Sequence, residues 1–460
     1  MIMKRFLPVA FASLLAFPLA ASDATPDIIT VYDGAVFYDG YLMEKNPDKE
    51  IEDGITRHSC SLYSRPLTDD QLDRIGENLK LHVDVQALCD NYDRIGNVNI
   101  AFVPKGESSY DPDFTQRIEI GRFITPFMNM NKEPDTVPYE YDVEYLSPLL
   151  RDSGIRARYD LWLELEIFGI PYAANQQVAG CAGRNDVFKG FLYLATSEPA
   201  PAVDNTVILP IIMKKPEYKG HNLNNYSEAG TDTIGMTTKT YTIDLPDDVR
   251  NARIVLITSN HGANAGGEEY SRRQHYIYLD DALTLSYIPG RESCEPFREY
   301  NTQGNGIYGS RPKSDAQWQS FSNWCPGDVI DNRQILLDHM HKGIHKIRIS
   351  VPEARFVDKQ GDIPVSMYLI GEKTDLSGVS QIPAESVFSI KNDGSSLRIS
   401  STKDICGLEI LNAAGLPILS TDLSEPVSTL DLPIPSGLSG IHLVTLRLSD
   451  GVSYTRKLIL

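Results

Sequence analysis

The spacing of apolar residues constrains this chain more than any other feature. Between residues 76 and 205, LKLHVDVQAL, NVNIAFV, QRIEIGRFITPF, YEYDVEYL and GFLYLATSE each alternate or run apolar over a short stretch. In NVNIAFV, Val98, Ile100 and Phe102 fall on one face and Asn97, Asn99 and Ala101 on the other. A period of two marks a half-buried strand, and Gly, Pro and Asp turns separate the runs. After a linker-like break, Pro199 to Asn205, a second set follows: TVILPIIMKK, TKTYTIDLP, ARIVLITS, HYIYLDDALTLSYI, IHKIRISVP and DIPVSMYLIGEK. Strands this short and this regularly spaced predict an all-β chain of antiparallel sandwiches.

The length of 460 residues allows two to four domains. MIMKRFLPVAFASLLAFPLAASDA carries Lys4 and Arg5, an apolar run to Leu19, then Ala20, Ala21 and Ser22. This pattern predicts a secretory signal peptide over 1–22, too short to span a membrane. No Cys stands at the cleavage site, and no later run is long enough to span. The expectation is an exported protein, secreted or held at the cell surface or in the periplasm. The boundaries expected from composition are a small N-terminal subdomain at 23–75, a first sandwich at 76–205, a second at 206–375 and a β domain at 376–460. In the first of these, LTDDQLDRIG predicts a short helix capped by Thr68. The last is rich in Ser, Leu and Ile and reads as six or seven short strands. A formal charge of −19 argues against nucleic-acid or anionic-membrane partners.

Six cysteines in an exported chain permit disulfides. Cys294 and Cys325 bracket a polar, Gly-rich excursion that apolar burial alone would not order. Closing it is worth about 3–4 kcal/mol in the chain-entropy view. Cys406 lies in an apolar strand and reads as a buried thiol.

The chemistry-bearing stretch is CDNYDRIGNVNIAFV, Cys89 to Val103. Asp90 and Asp93 flank Tyr92, and Arg94 follows at the mouth of a strand. A guanidinium beside Asp93 is expected to hold it ionised, with Asp90 of lesser weight. EIGRFITPF, Glu119 to Phe127, is its companion. In the same order come RARYDLWLE (Arg156 to Glu164), ITSNHGANAGGEEYSRRQHYIYLD (Ile257 to Asp280) and NWCPGDVI (Asn323 to Ile330). Together these ordered segments resemble the peptide-N-glycosidase F family, bacterial amidases that remove whole N-linked glycans from asparagine.

The resemblance implies two tandem antiparallel jelly-roll sandwiches. The C-terminal run GVSYTRKLIL resembles a type IX secretion sorting domain, against a plain accessory β domain as the alternative. By position, Asp93 matches the family's primary catalytic acid, Glu269 its second essential carboxylate, and Asp160, two residues before Trp162, a third catalytic acid. Arg94, Trp162, Trp324, His261 and Glu268 fall at substrate-contact positions. The family has a bridge where Cys294 and Cys325 stand. Cys89 matches a family cysteine whose local partner is missing, leaving Cys60 or Cys181 for that place. Three departures bear on glycan selectivity: Asp160 stands in place of Glu, His261 in place of Trp, and Phe321 in place of Arg, with Arg311 a candidate to compensate.

The residues alone allow plainer readings. Glu268 and Glu269 could be a solvated loop pair, Trp162 and Trp324 sandwich core, and His275 a structural histidine. HMHKGIH puts His339 and His341 on one strand face, with His345 close by. An i, i+2 pair can ligate copper or zinc, although no acidic or Cys ligand is evident nearby. Double jelly rolls also carry copper monooxygenases with ligands from both domains. No G-x-S-x-G elbow is present. The expectation is a monomeric, cofactor-free and metal-independent amidase acting on N-glycosylated proteins or glycopeptides. The alternatives are a non-catalytic glycan-binding protein and a copper or zinc enzyme using the histidines.

Overall fold

The computed structural model describes residues 26–42, 51–213, 233–263, 267–358, 360–374, 388–392, 396–412, 417–434, 440–449 and 453–459. The expected leader lies outside them. The chain forms two compact units, Met1–Lys373 and Thr374–Leu460.

Two sheets build the first sandwich. One runs Asp27–Tyr38, Asp186–Thr196, Leu79–Ala87, Thr136–Asp142. The other runs Val329–Ile330, Arg117–Ile124, Ile95–Pro104, Tyr159–Ile167, Leu62–Pro66, Thr56–Arg57. In LKLHVDVQA, Leu79, Leu81, Val83, Val85 and Ala87 all turn into the core. That alternation is what closes a sandwich around an apolar centre.

The expected subdomain over 23–75 is corrected here. Asp27–Tyr38 pairs along its length with Asp186–Thr196, and Leu62–Pro66 pairs with Tyr159–Ile167. Ile29, Val31 and Phe37 are core residues, so the segment completes both sheets rather than sitting on them. Thr68 does cap a short helix, Asp69–Asp73, through a reciprocal box with Gln71.

The second sandwich stacks Thr206–Ile212, Val365–Lys373, Val249–Thr258, Arg333–Met340 on Thr238–Leu245, Gly343–Ser350, His275–Leu279, Ala282–Tyr287. HYIYLDDALTLSYI is two strands, not one run. Asp280 and Asp281 take φ of 49° and 68°, and Leu279 pairs with Ala282. Two consecutive left-handed residues make the tight hairpin, and Asp tolerates that conformation better than most. The second unit is one five-stranded sheet around Leu397, Ile399, Ile410, Val444 and Leu446. Its described strands number five, because Ser396–Asn412 and Pro417–Pro433 are each long. Cys406 there is half-buried rather than buried.

The two sandwiches are tied together at three levels. Val255, Tyr368 and Ile370 of the second belong to the apolar core of the first. Val329–Ile330, a piece of the second half, pairs with Arg122 and Phe123 at the edge of the first sandwich's large sheet. Between them lies a fully buried ion pair. Arg122 Nε and Nη2 donate to Glu119 at 2.8 Å each, and its Nη1 donates to Ser259 Oγ at 2.9 Å and the Pro364 carbonyl at 3.0 Å. The Ser366 hydroxyl donates to Glu119 from the other side. Arg122 and Glu119 come from the first sandwich and their partners from the second. Burying two charges costs several kcal/mol per ion unless their hydrogen bonds are met, and here they are.

Removing one member leaves the other charged and dry. Arg122→Met should lower stability by about 3–5 kcal/mol. Chemical denaturation followed by fluorescence measures this, and a change within about 0.5 kcal/mol would show that the pair does not hold the junction.

Candidate active site

The loop Cys89 to Arg94 is pinned before it reaches the strand Ile95–Pro104. Cys89 is bonded to Cys181, which settles the open pairing, while Cys60 and Cys406 carry no disulfide. Asp90 is buried and is not a spare acid. Its Oδ2 accepts from Ile170 N and Arg94 Nε, both at 2.7 Å, and its Oδ1 accepts from Tyr92 N at 2.9 Å. Arg94 N donates to Thr125 Oγ1 at 2.8 Å, and Thr125 N returns a bond to Arg94 O at 2.8 Å. Tyr92 and Arg94 are thereby fixed, and Asp93 stands between them.

The expectation that Arg94 keeps Asp93 ionised is overturned. The guanidinium turns to Asp90. Burial, then the nearby charge of Glu269, push the Asp93 carboxyl up to about 7, and Arg94 offsets only part of this. A carboxyl at about 7 populates both protonation states at neutral pH.

Glu269 arrives from the second sandwich. Gly262 N donates to Glu269 Oε2 at 2.9 Å, and the Tyr270 hydroxyl bonds the same carboxylate. Burial raises Glu269 while those two donors oppose the rise. Gly262 has φ of 109°, and a Cβ there would meet Gly361 Cα at 2.4 Å. Only glycine lets the His261–Asp362 bridge close and still aims an N–H at Glu269. From the far side, Asn323 Nδ2 donates to the carbonyls of Glu268 at 2.9 Å and Glu269 at 2.5 Å. Two acids from different sandwiches therefore share one electrostatic field at the junction.

The Cys294–Cys325 disulfide closes the excursion that supplies Asn323. Contrary to expectation, the excursion has an apolar core of its own: Tyr308, Trp318, Phe297, Ile307 and Phe321. Glu295 is held down to about 2, first by Arg298. Phe127 N donates to Asn301 Oδ1 and Asn129 N to Thr302 Oγ1, which docks the excursion on the first sandwich. Phe321 stacks on Tyr270 with centroids 4.8 Å apart, so the residue standing in place of Arg steadies the phenol that bonds Glu269. Among the described residues, Arg311 contributes a carbonyl, to Arg298.

Several other sequence candidates lie elsewhere or act differently. Asp160 pairs with Val103, eight positions along the strand from Ile95, which is roughly 26 Å from the Asp93 end. Burial would raise it, but Lys105 Nζ at 2.7 Å and Gly106 N hold it low. The acid that register brings to the Asp93 end is Glu166, opposite Asn97. Trp162 is buried opposite Ala101, and Tyr110 packs edge-on against it. No face of it is left for a sugar. Trp324 is also buried, at 5% exposure, among Ile95, Ile124, Ile257 and Ile330. Its Nε1 donates to Asn260 O, which makes it a wedge in the junction and not a stacking platform. His261 stacks on Trp324 and bonds Ser259 Oγ at 2.7 Å, next to Arg122. Glu268 is buried, bonded to Arg273 Nε at 2.7 Å and Arg355 N at 3.0 Å. Exposed aromatics do occur around Arg94: Tyr92 is 42% exposed with Arg94 over its ring, and Tyr172 is 63% exposed and within reach of its charge.

The copper-enzyme alternative requires ligands from both sandwiches. Among the described residues, the group with metal-ligand spacing is Asp248, His339 and His341, all from the second. The sequence hid its acid, because Asp248 is remote along the chain.

Two sequence profiles match: Peptide-N-glycosidase F, N terminal, over residues 67–182, and Peptide-N-glycosidase F, C terminal, over residues 229–370. Together they cover more than half the chain. The chain belongs to the peptide-N-glycosidase F family. Among solved structures it is similar to PNGF-II in two crystal forms, at 19% and 20% identity with TM-scores of 0.55 and 0.53 over 76% of this chain. It spans just under two thirds of PNGF-II, 66% and 65% of the two chains. It also matches PNGase F, described as a glycosylasparaginase from Flavobacterium meningosepticum, at 18% identity and a TM-score of 0.49 over 76% of this chain and 96% of that one. No curated protein sequence matches. At these identities the PNGF-II likeness shows the jelly-roll sandwich fold.

The raised pKa of Asp93 has a stability consequence. From its ordinary 3.8 upward the unfolded carboxyl ionises, while the folded one stays protonated until about 7. The folded state therefore loses stability across that window and regains none above it. Asp93→Asn removes the penalty, so its melting temperature relative to the parent should be higher at about pH 8 than at about pH 4. A pH-independent difference would mean that the carboxyl is not perturbed.

Proposed function

We propose that the chain is an amidase that hydrolyses the bond between the innermost N-acetylglucosamine of an N-linked glycan and asparagine. Family membership supports a glycan-cleaving hydrolase. The observation that carries the specific reading is a carboxyl from the first sandwich, Asp93, lifted to about 7 by burial and by the charge of a carboxylate from the second, Glu269. Water attacks the side-chain amide carbon, the carbon–nitrogen bond breaks, and the nitrogen takes a proton. The products are a glycosylamine and an aspartyl peptide, and the glycosylamine later loses ammonia to water.

Such a reaction needs one base and one acid of different proton affinity. Glu269, held by Gly262 N–H and the Tyr270 hydroxyl, is the anion that orients the water and takes its proton. Asp93, lifted to about 7, carries the proton that reaches the leaving nitrogen. The charge of Glu269 helps to keep the proton on Asp93. Arg94, bound to Asp90, is a positioning residue, and Tyr92 and Tyr172 offer exposed rings to the glycan. The substrate is an N-glycosylated protein or glycopeptide, and the enzyme acts as an exported monomer. The C-terminal unit is proposed as a sorting domain on the resemblance of its final strand.

Incubation with a defined glycopeptide tests the reading. Mass spectrometry should find aspartate in place of asparagine and the whole glycan released. An N-acetylglucosamine left on the peptide would make the protein an endoglycosidase, and binding without turnover would make it a lectin.

The assignment of roles has its own test. Turnover should climb as Glu269 ionises and fall as pH passes about 7. Asp93→Asn should lose about 10²-fold or more in turnover while glycopeptide binding survives. A rate that instead rises through neutrality to a plateau would make Asp93 the base.

A further inference from the structure

The end of the second sandwich away from the junction holds an unassigned cluster. Arg250 pairs with His339 and Val249 with Met340. Asp248 and His341 are the residues that flank this last pair, and with His339 they meet on one surface. Asp248 Oδ2 lies 3.9 Å from His339 Nε2, and its Oδ1 lies 3.7 Å from His341 Nδ1. One donor atom from each residue falls within 4.8 Å of the others. These separations exceed hydrogen-bond length. The two imidazoles converge on one carboxylate at ion-pair distance.

We propose that Asp248, His339 and His341 bind a divalent first-row transition cation, with zinc the ion of choice. Two imidazoles and a carboxylate form a borderline nitrogen–oxygen set suited to such an ion. Bonds of about 2.0–2.2 Å place donor atoms roughly 3–3.5 Å apart, so closure on a cation needs only a small movement. His341, 82% exposed, is free to make it.

The surroundings are arranged for the purpose. Lys342 N donates to Asp248 Oδ1 at 2.7 Å and fixes the carboxylate. His345 bonds Asp280 Oδ2 through Nδ1 and the His341 carbonyl through Nε2, both at 2.7 Å, which anchors the turn that carries His341. Supports of this kind orient ligands and raise affinity. Arg250, opposite His339, is drawn off to Glu372 at 2.8 Å. The ion would tie the turn before Val249–Thr258 to the turn after Arg333–Met340. Val249–Thr258 runs from this cluster toward Asn260 and His261, a span of roughly 30 Å, so the ion takes no part in the carboxylate chemistry.

Untagged, chelator-stripped protein titrated with zinc chloride in a calorimeter should bind one ion per chain. The His339→Ala/His341→Ala double variant should lose affinity by roughly tenfold or more, and Asp248→Asn should weaken it as well. Fold is checked by circular dichroism, and the single variant His341→Gln, altered at an exposed side chain, serves if the double variant unfolds. Glycopeptide hydrolysis should be equal in parent and variants with or without chelator, which keeps this result separate from the amidase reading. No zinc uptake by the parent, or equal uptake by parent and variants, overturns the proposal.

Discussion

The buried pair of Arg122 and Glu119 is the constraint on which the junction depends. Both come from one strand of the first sandwich, yet their remaining hydrogen bonds are met by Ser259, Pro364 and Ser366 of the second. A charge pair in a dry interface tolerates few arrangements, because any shift leaves a polar atom unmet. The two sandwiches therefore meet in one register. His261, bonded to Ser259, and Trp324, bonded to Asn260, fix the adjoining backbone in the same way.

That register matters because the two carboxylates come from different sandwiches. Asp93 would not be perturbed to the same degree alone, since part of its rise is the field of Glu269. Around them the chain invests in rigidity: a disulfide at Cys89, a buried Asp90, an Asn323 clamp and a glycine that brings an N–H to Glu269. Groups whose geometry must hold within fractions of an ångström are served by such supporting contacts.

Most of the strands were legible in the sequence because alternation is a local property. Leu79–Ala87 and Ile95–Pro104 could be read from their own side chains. So could the Thr68 cap and the Cys294–Cys325 closure. Asp93 and Glu269 were singled out by ordered motifs, not by anything their neighbours in sequence reveal. What stayed hidden was non-local. Asp160 and Glu166 sit six residues apart on one strand, and only register says which of them reaches the Asp93 end. Arg94 follows two acids in sequence, Asp90 and Asp93, and backbone geometry chose Asp90. Trp162 and Trp324 looked like sugar platforms until Tyr110 and the junction isoleucines covered them. The first strand resembled an appendage because its partner, Asp186–Thr196, lies some 150 residues on.

The short strand Val329–Ile330 has a consequence for how the chain is made. It is the edge partner of Arg117–Ile124, so the first sandwich's large sheet ends in open backbone until residue 330 has been synthesised. An unpaired edge invites other strands to add to it. The first half thus leaves the ribosome unfinished, and the second half both follows it and completes it. A gene cut between the sandwiches would yield two incomplete pieces, which makes the pair a single unit of inheritance despite its two-lobed design.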